Sequence, residues 1–405
     1  MGTAGPDLRG GEVPARLDGA LLPAGLRDVL PPDAAHEAGI VERLVACFAS
    51  HGYQRVKPPL IEFEESLLGG SNNGLATETF RLMDPVSQRM MGLRSDFTMQ
   101  VARIATARLR KAPRPLRLCY AGDVLRVKSA QLRPERQFTQ IGFELIGALG
   151  APADSEAVLL AAEALQNLGI KRLSVDLTSP MLVPSVCQGL GIDPGRGGRS
   201  LRGALDRKDA AAVAAAAGAH GKLFARLLGA AGPAKRALAT LRALELPEAA
   251  RAEADRLDQV TTRVLEANPD LQLTIDPVEN RGFEYHTGIS FTLFARGVRG
   301  ELGSGGRYRA GLGNAGEGEP ATGATLYLET IVRALPAAQE APRLYLPCGA
   351  PLGVARQLRG EGWVVVDGLD AVTDDRAEAR RLGCSHVWIA GDIVAVAEAR
   401  RPARR

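Results

Sequence analysis

The stretch GDVLRVKSAQLRPERQFTQIGFELIG, residues 122–147, predicts a strand, a polar loop and a second strand. Side chains alternate between the two faces of a strand. The second strand therefore places Gln140, Gly142 and Glu144 on one face and an apolar set on the other: Ile141, Phe143 and Leu145. A strand face made of Gln, Gly and Glu is typical of a pocket for a small polar ligand.

The composition is that of a globular protein. The chain has 405 residues, of which 45% are hydrophobic and 24% charged, so it is long enough for two or three domains with a sizeable core. The net charge of +4 gives no electrostatic bias toward nucleic acid or a membrane surface. No apolar stretch approaches the roughly 20 residues that cross a bilayer.

The cysteines and histidines predict neither a disulfide framework nor a metal site. Five cysteines and five histidines are scattered along the chain without C-x-x-C or H-x-x-x-H spacing. An odd number of scattered cysteines fits a reducing, cytoplasmic compartment. We expect no cofactor and no metal.

Changes in composition predict the domain organisation. Residues 1–20 are polar and rich in Gly, Pro and Arg, without an apolar core, and predict a disordered lead rather than a signal peptide. Residues 21–335 predict the main domain, in which 194–268 form an insertion dominated by Ala, Arg and Leu and therefore helical. Residues 342–398 predict a small β-α-β-α-β domain, and 399–405 a basic, frayed tail.

The order of elements favours an α+β fold over a parallel α/β fold. Residues 78–98 predict two strands around a turn at Asp84-Pro85, and 55–67 predict an extended segment broken by two prolines. Residues 99–110 have helical spacing and directly precede the opening hairpin. Because strands and helices do not alternate strictly, we expect an antiparallel sheet flanked by helices.

Three short motifs are ambiguous when each is taken alone. The glycine-rich segment 300–313 lacks the G-K-[ST] of a P-loop and predicts a hairpin. Asp96 and Thr98 could bind an ammonium group, but the local sequence favours a cap for the helix that follows. The segment RGFEYHTG, residues 281–288, holds a histidine without a metal partner, and no nucleophile elbow occurs in the chain.

The order of these motifs is far more specific. PAGLRDVLP, LRSDFT, RQFTQIGFELIG, RGFEYHTG and GGRY follow one another as in histidyl-tRNA synthetase, which the chain resembles over roughly residues 21–335. The resemblance implies a class II synthetase core, an antiparallel sheet flanked by helices and normally dimeric. Residues 194–268 occupy the place of that family's helical insertion.

The resemblance implies a histidine-binding pocket. The matching positions, carried over one by one, are Asp96, Thr98, Arg126, Gln140, Glu144, Arg281, Tyr285 and Tyr308. Asp96 is one methylene shorter than the family's glutamate. His286 stands where the family has a second aromatic residue, and Arg309 where it has an aspartate.

The positions that would hold ATP depart from the family. Lys128 stands in place of a glutamate that accepts from the adenine amino group, and an ammonium has only donors. Thr330 stands in place of an arginine that stacks on adenine and grips phosphate. Because phosphoryl chemistry depends on such fixed charges, we expect synthetase chemistry to be lost and no catalytic residue to remain.

A histidine pocket without adenylation resembles the synthetase-like regulatory subunits of ATP phosphoribosyltransferase. The resemblance implies a homodimer within a hetero-oligomer, a short-form catalytic subunit as partner, and feedback inhibition by L-histidine. Because the C-terminal domain is short, tRNA binding is not expected. Two alternatives stay open from the sequence: an active histidyl-tRNA synthetase, and a stand-alone synthetase-like binding protein.

Overall fold

A computed structural model provides the coordinates. It describes residues 21–68, 77–128, 134–193, 195–279, 286–311, 318–337 and 341–396. The predicted lead, 1–20, and the predicted basic tail, 399–405, lie outside the described residues. The chain divides into two compact units, Met1–Pro336 and Ala337–Arg405.

The first unit is built on a nine-stranded sheet. The strands along it, in spatial order, are β1 (Gln54–Arg55), β5 (Leu116–Leu125), β6 (Gln137–Ile146), β12 (Glu319–Tyr327), β11 (Gly303–Ala310), β10 (Ser290–Ala295), β7 (Leu173–Thr178), β9 (Gln272–Ile275) and β8 (Gly232–Pro233). From β5 to β7 every neighbouring pair is antiparallel. The β1–β5 and β7–β9 pairs are parallel, so the sheet is mixed rather than purely antiparallel, and the α+β class is confirmed.

A smaller sheet and a set of helices complete the first unit. The small sheet has the order β2 (Ile61–Phe63), β4 (Met90–Leu93) and β3 (Arg81–Met83). The helices are α1 (Asp33–Ser50), α2 (Glu64–Leu68), α3 (Thr98–Arg103), α4 (Gly150–Asn167), α5 (Leu182–Gly189), α6 (Arg196–Asp206), α7 (Ala210–Ala217), α8 (Gly221–Gly229), α9 (Ala234–Arg242), α10 (Glu248–Ala267) and α11 (Leu328–Ala334). A π-helical turn, Ile104–Arg108, extends α3, and a 3₁₀ turn, Gly218–His220, joins α7 to α8.

The main core lies between the sheet and α1 and α4. Phe143 of β6 forms edge-to-face contacts with Phe48 of α1 and with Tyr53, at centroid distances of 4.9 and 5.2 Å. The predicted apolar face of β6 is thus the core face, as its alternation requires. Its polar face, with Gln140 and Glu144, is buried as well, so it lines an internal site rather than a solvent surface.

The second unit contains a four-stranded sheet of order β14 (Val364–Asp367), β13 (Arg343–Leu346), β15 (His386–Ile389) and β16 (Asp392–Ala395), with helices α12 (Leu352–Gly360) and α13 (Asp375–Arg381). The predicted β-α-β-α-β order is present, and β16 adds an antiparallel strand that the sequence analysis did not predict. Within the described part of the chain, none of the helices has the length and apolarity that crossing a membrane requires.

Two local expectations fail. Residues Glu64–Leu68 of the predicted extended segment form α2, since Pro58 and Pro59 disturb only the residues beside them and two glutamates stand in the first turn, which a helix favours. The predicted helical insertion also contains the short strand β8, which pairs with β9.

Candidate functional site

The side chains of Glu144 on β6 and Tyr308 on β11 contact each other across β12, the strand between β6 and β11. Glu144 of β6 is opposite Gly323 of β12, and Gly323 is opposite Gly306 of β11. A Cβ atom at Gly323 would overlap the Glu144 carboxylate and the Phe143 carbonyl oxygen. The missing side chain therefore provides the space into which Glu144 extends.

Buried hydrogen bonds hold the Glu144 carboxyl group. Tyr308 Oη donates to Glu144 Oε2 at 2.9 Å, and Tyr120 Oη donates to Oε1 at 3.4 Å. Thr325 Oγ1 lies 2.8 Å from Tyr120 Oη. The pKa of Glu144 is raised to about 8; burial is the main cause and the nearby charge of Asp96 adds to it, while the tyrosine hydrogen bonds oppose the shift. At neutral pH this carboxyl group is mostly protonated, so it can donate as well as accept a hydrogen bond.

A second pair of predicted residues, Asp96 and Gln140, lies next to the first. Gln140 Nε2 donates to Asp96 Oδ2 at 2.9 Å, and the Phe97 amide donates to Gln140 Oε1 at 3.2 Å. Asp96 Oδ1 accepts from the Thr98 amide at 2.8 Å, at the first residue of α3. Asp96 thus accepts from the first residue of the helix with one oxygen and from Gln140 with the other.

A small cavity adjoins Glu144 and Tyr308. It has a volume of about 20 Å³ and is lined by Thr98, Glu144, His286, Ser304, Gly305, Gly306, Tyr308, Gly323, Ala324 and Thr325. A space of this size holds about one water molecule.

His286 forms part of the cavity wall. It is 5% exposed, and burial lowers its pKa to about 3, so its imidazole is neutral. Arg281 and Tyr285, also predicted for the pocket, lie outside the described residues. Arg309 is exposed and donates to the Gly318 carbonyl oxygen at 3.2 Å. It is not among the residues that line this cavity.

Arg126 lies beside the Asp96 segment. Its Nε donates to the Ser95 carbonyl oxygen at 3.5 Å, and the same nitrogen is 3.5 Å from Glu78 Oε2. The guanidinium carbon lies 5.2 Å from the Phe138 ring centroid. Glu78, a residue remote from Arg126 in sequence, thus lies within ion-pair distance of its guanidinium.

The two altered ATP positions have different surroundings. Lys128 is exposed, one residue after a backbone contact between the Val127 amide and the Glu78 carbonyl oxygen. Thr330 is buried on α11, and its hydroxyl accepts from Arg333 at 3.1 Å. Glu329 accepts from the Thr139 amide at 2.9 Å, and burial raises its pKa.

The sequence analysis missed two groups of supporting residues. Tyr120 lies opposite Gly142, where a Cβ atom would clash with the tyrosine ring; a glycine inside a strand is the signal that could have revealed a bulky neighbour. Arg307 of the GGRY motif is 5% exposed and binds Asp154 of α4 through Nε at 2.8 Å. The two residues are 153 positions apart in the sequence, so no local pattern indicates that they pair.

Comparisons with known proteins agree with this fold. The family model for histidyl-tRNA synthetase matches residues 25–331. Proteins named ATP phosphoribosyltransferase regulatory subunit from Rhodospirillum centenum and Paramagnetospirillum magneticum are each 58% identical, over 92% and 91% of this chain and 96% and 95% of theirs.

A solved structure from Bacillus halodurans, described as an ATP phosphoribosyltransferase regulatory subunit/histidyl-tRNA synthetase, superposes with a TM-score of 0.77. It is 24% identical and covers 89% of this chain and 96% of its own. At that identity the likeness concerns the fold alone, and it confirms the predicted class II synthetase-like architecture.

Proposed function

This chain belongs to the ATP phosphoribosyltransferase regulatory subunits, within the wider histidyl-tRNA synthetase family, and we propose that it regulates such an enzyme in histidine biosynthesis. In this proposal the chain has no catalytic centre of its own. It assembles with a short-form catalytic subunit, is needed for that subunit's activity, and senses L-histidine.

The observation that carries the proposal is a group of polar side chains in which Glu144, Tyr308 and Gln140 are buried and Asp96 is half-buried. A protonated Glu144 can donate to an unprotonated imidazole nitrogen, and an ionised one can accept from an imidazolium. Asp96 offers a carboxylate for the ligand ammonium. Arg126 offers a guanidinium for the ligand carboxylate, in exchange for its contact with Glu78. These groups supply each charge that a histidine molecule requires.

A regulatory role requires that L-histidine bind one arrangement of the complex more tightly than the other. A ligand shifts an equilibrium only by the difference between its affinities for the two states. A coupling of about 1–3 kcal/mol between L-histidine and the inhibited arrangement is ordinary for allostery.

The adenine side of the cleft supports the loss of synthetase activity. Lys128 cannot accept from an adenine amino group. The Thr330 hydroxyl already accepts a hydrogen bond from Arg333 and cannot replace a planar cation beside adenine. An active synthetase would show histidine-dependent exchange of pyrophosphate into ATP, and we expect none.

The test is co-purification of this chain with a short-form catalytic subunit, followed by assay of ATP phosphoribosyl transfer with and without L-histidine. We expect a stable complex, activity only in the mixture, and inhibition by L-histidine. A catalytic subunit that stays inactive after mixing would contradict the proposal. Pyrophosphate exchange at a normal rate would favour the synthetase alternative.

A further inference from the structure

A cluster of potential metal ligands lies away from the histidine pocket. Cys47 and His51 stand one helical turn apart, at the C-terminal end of α1. Glu163 of α4 lies beside them, and its carboxylate is 3.3 Å from His51 Nε2. One ligand atom from each of these three side chains lies within 4.8 Å of the other two.

These distances are close to those of a zinc site. With Zn–S near 2.3 Å and Zn–N near 2.0 Å, tetrahedral ligands lie roughly 3.3–3.7 Å apart. The His51 and Glu163 side chains are 34% and 49% exposed, so they are free to rotate by the remaining distance of about 1 Å. One thiolate, one imidazole and one carboxylate are a donor set that suits zinc better than Ca²⁺ or Mg²⁺.

One side of the cluster contacts Asn167, and the other side opens into a cleft. Asn167, one turn after Glu163 on α4, donates from Nδ2 to Cys47 Sγ at 3.8 Å. His51 and Glu163 also line a cleft of about 800 Å³ between α4 and α10, together with Glu156 and Glu266. The cleft, which Arg263 also lines, gives the ion a route of entry and a place for a water ligand.

We propose that Cys47, His51 and Glu163 bind one Zn²⁺ ion and thereby join the end of α1 to α4. The site is independent of the proposed histidine pocket. No zinc site was expected from the sequence, because a Cys-x-x-x-His turn completed by a distant glutamate has neither C-x-x-C nor H-x-x-x-H spacing. Because Phe48 of α1 packs on Phe143 of β6, zinc would also stabilise the helix that supports the pocket strand.

The test uses the full chain, freed of metal by a chelator. Zinc chloride is titrated against a chromophoric chelator for the wild type and for Cys47→Ser, His51→Ala and Glu163→Gln. We expect one Zn²⁺ per wild-type chain and a loss of affinity of more than about tenfold in each variant, since even outer-shell changes cost 10- to 100-fold. Cys187→Ser is the matched control, because Cys187 is also half-buried and free and should leave zinc binding unchanged.

A second measurement keeps the proposal testable if a variant fails to fold. Co²⁺ bound to the wild-type chain should show thiolate-to-cobalt charge-transfer absorption, because Cys47 is a ligand. Retention of that absorption in Cys47→Ser would overturn the proposal. So would a wild-type chain that binds no Zn²⁺, or one whose affinity is the same with and without the Cys47 thiol.

Discussion

Tyr308 Oη donates a 2.9 Å hydrogen bond to Glu144 Oε2 across β12, the strand that separates their own strands. The contact exists because Gly323, opposite Glu144 on β12, has no side chain. Thus β6 contributes the carboxyl group, β11 the hydroxyl group, and β12 a glycine that leaves room for their contact. The polar group depends on the register of the sheet as much as on the chemistry of its side chains.

Gly323→Ala should disturb this arrangement. The added methyl group would overlap the Glu144 carboxylate and the Phe143 carbonyl oxygen, and overpacking of this kind costs about 1–3 kcal/mol. We expect a lower free energy of unfolding and weaker binding of L-histidine, measured by urea denaturation and calorimetry.

Gly39→Ala is the control for that substitution. Gly39 is exposed within α1 and has no atom within 4 Å of an added Cβ. Replacing a helical glycine by alanine stabilises by about 0.5–1 kcal/mol. Equal effects of the two substitutions would contradict the role given to Gly323.

The buried pair of Arg307 and Asp154 should be among the most sensitive positions in the first unit. Both side chains are under 10% exposed, at 7% and 2%. Asp154→Ala would leave the Arg307 guanidinium buried without its carboxylate, which costs about 3–5 kcal/mol. Urea denaturation measures this loss.

The exposed pair of Arg242 and Asp258 provides the comparison. Arg242 is 61% exposed and its guanidinium lies 2.7 Å from Asp258. Exposed ion pairs contribute little because water and salt screen them, so Asp258→Ala should have a small effect. A loss at Asp154 no larger than the loss at Asp258 would show that Arg307 does not depend on its partner.

The pKa of Glu144 predicts a pH dependence of stability. The unfolded chain releases this proton near pH 4.5, whereas the folded chain holds it to about 8. Between these values the folded state binds more protons, so the contribution of Glu144 to stability falls as pH rises and is lost above about 8. The slope is at most about 1.4 kcal/mol per pH unit.

Glu144→Gln should remove this slope, as measured by urea denaturation at several pH values between about 5 and about 8. His286 contributes in the opposite sense: its pKa is lowered from 6.5 to about 3, so its contribution is lost as pH falls through that range. Subtracting the variant's profile from that of the wild type cancels the His286 effect. A difference that does not change with pH would contradict the raised pKa of Glu144.

Local patterns predicted much of the fold and part of the site. The two-residue period of β6 separated Gln140 and Glu144 from Phe143 correctly, and Asp84-Pro85 marked the turn between β3 and β4. Periodicity works here because each strand buries one apolar face.

Contacts between distant residues were not predictable in this way. The pairs Arg307–Asp154 and Arg126–Glu78 each join segments far apart in sequence, and neither has a spacing that marks it. The role of Gly323 could not be predicted either, because a glycine in a strand can mark a bulge, a bend or the close approach of another group. Only the sheet register reveals which side chain fills the space.

The most direct test is L-histidine inhibition of a reconstituted complex that contains a short-form catalytic subunit and either the wild-type chain or its Tyr308→Phe variant. The substitution removes only the hydroxyl that donates to Glu144. We predict that both chains activate the catalytic subunit, and that the variant requires more than about tenfold more L-histidine for inhibition, the effect of about 1.4 kcal/mol. Equal inhibition of the two complexes, or no activation by the wild-type chain, would contradict the account.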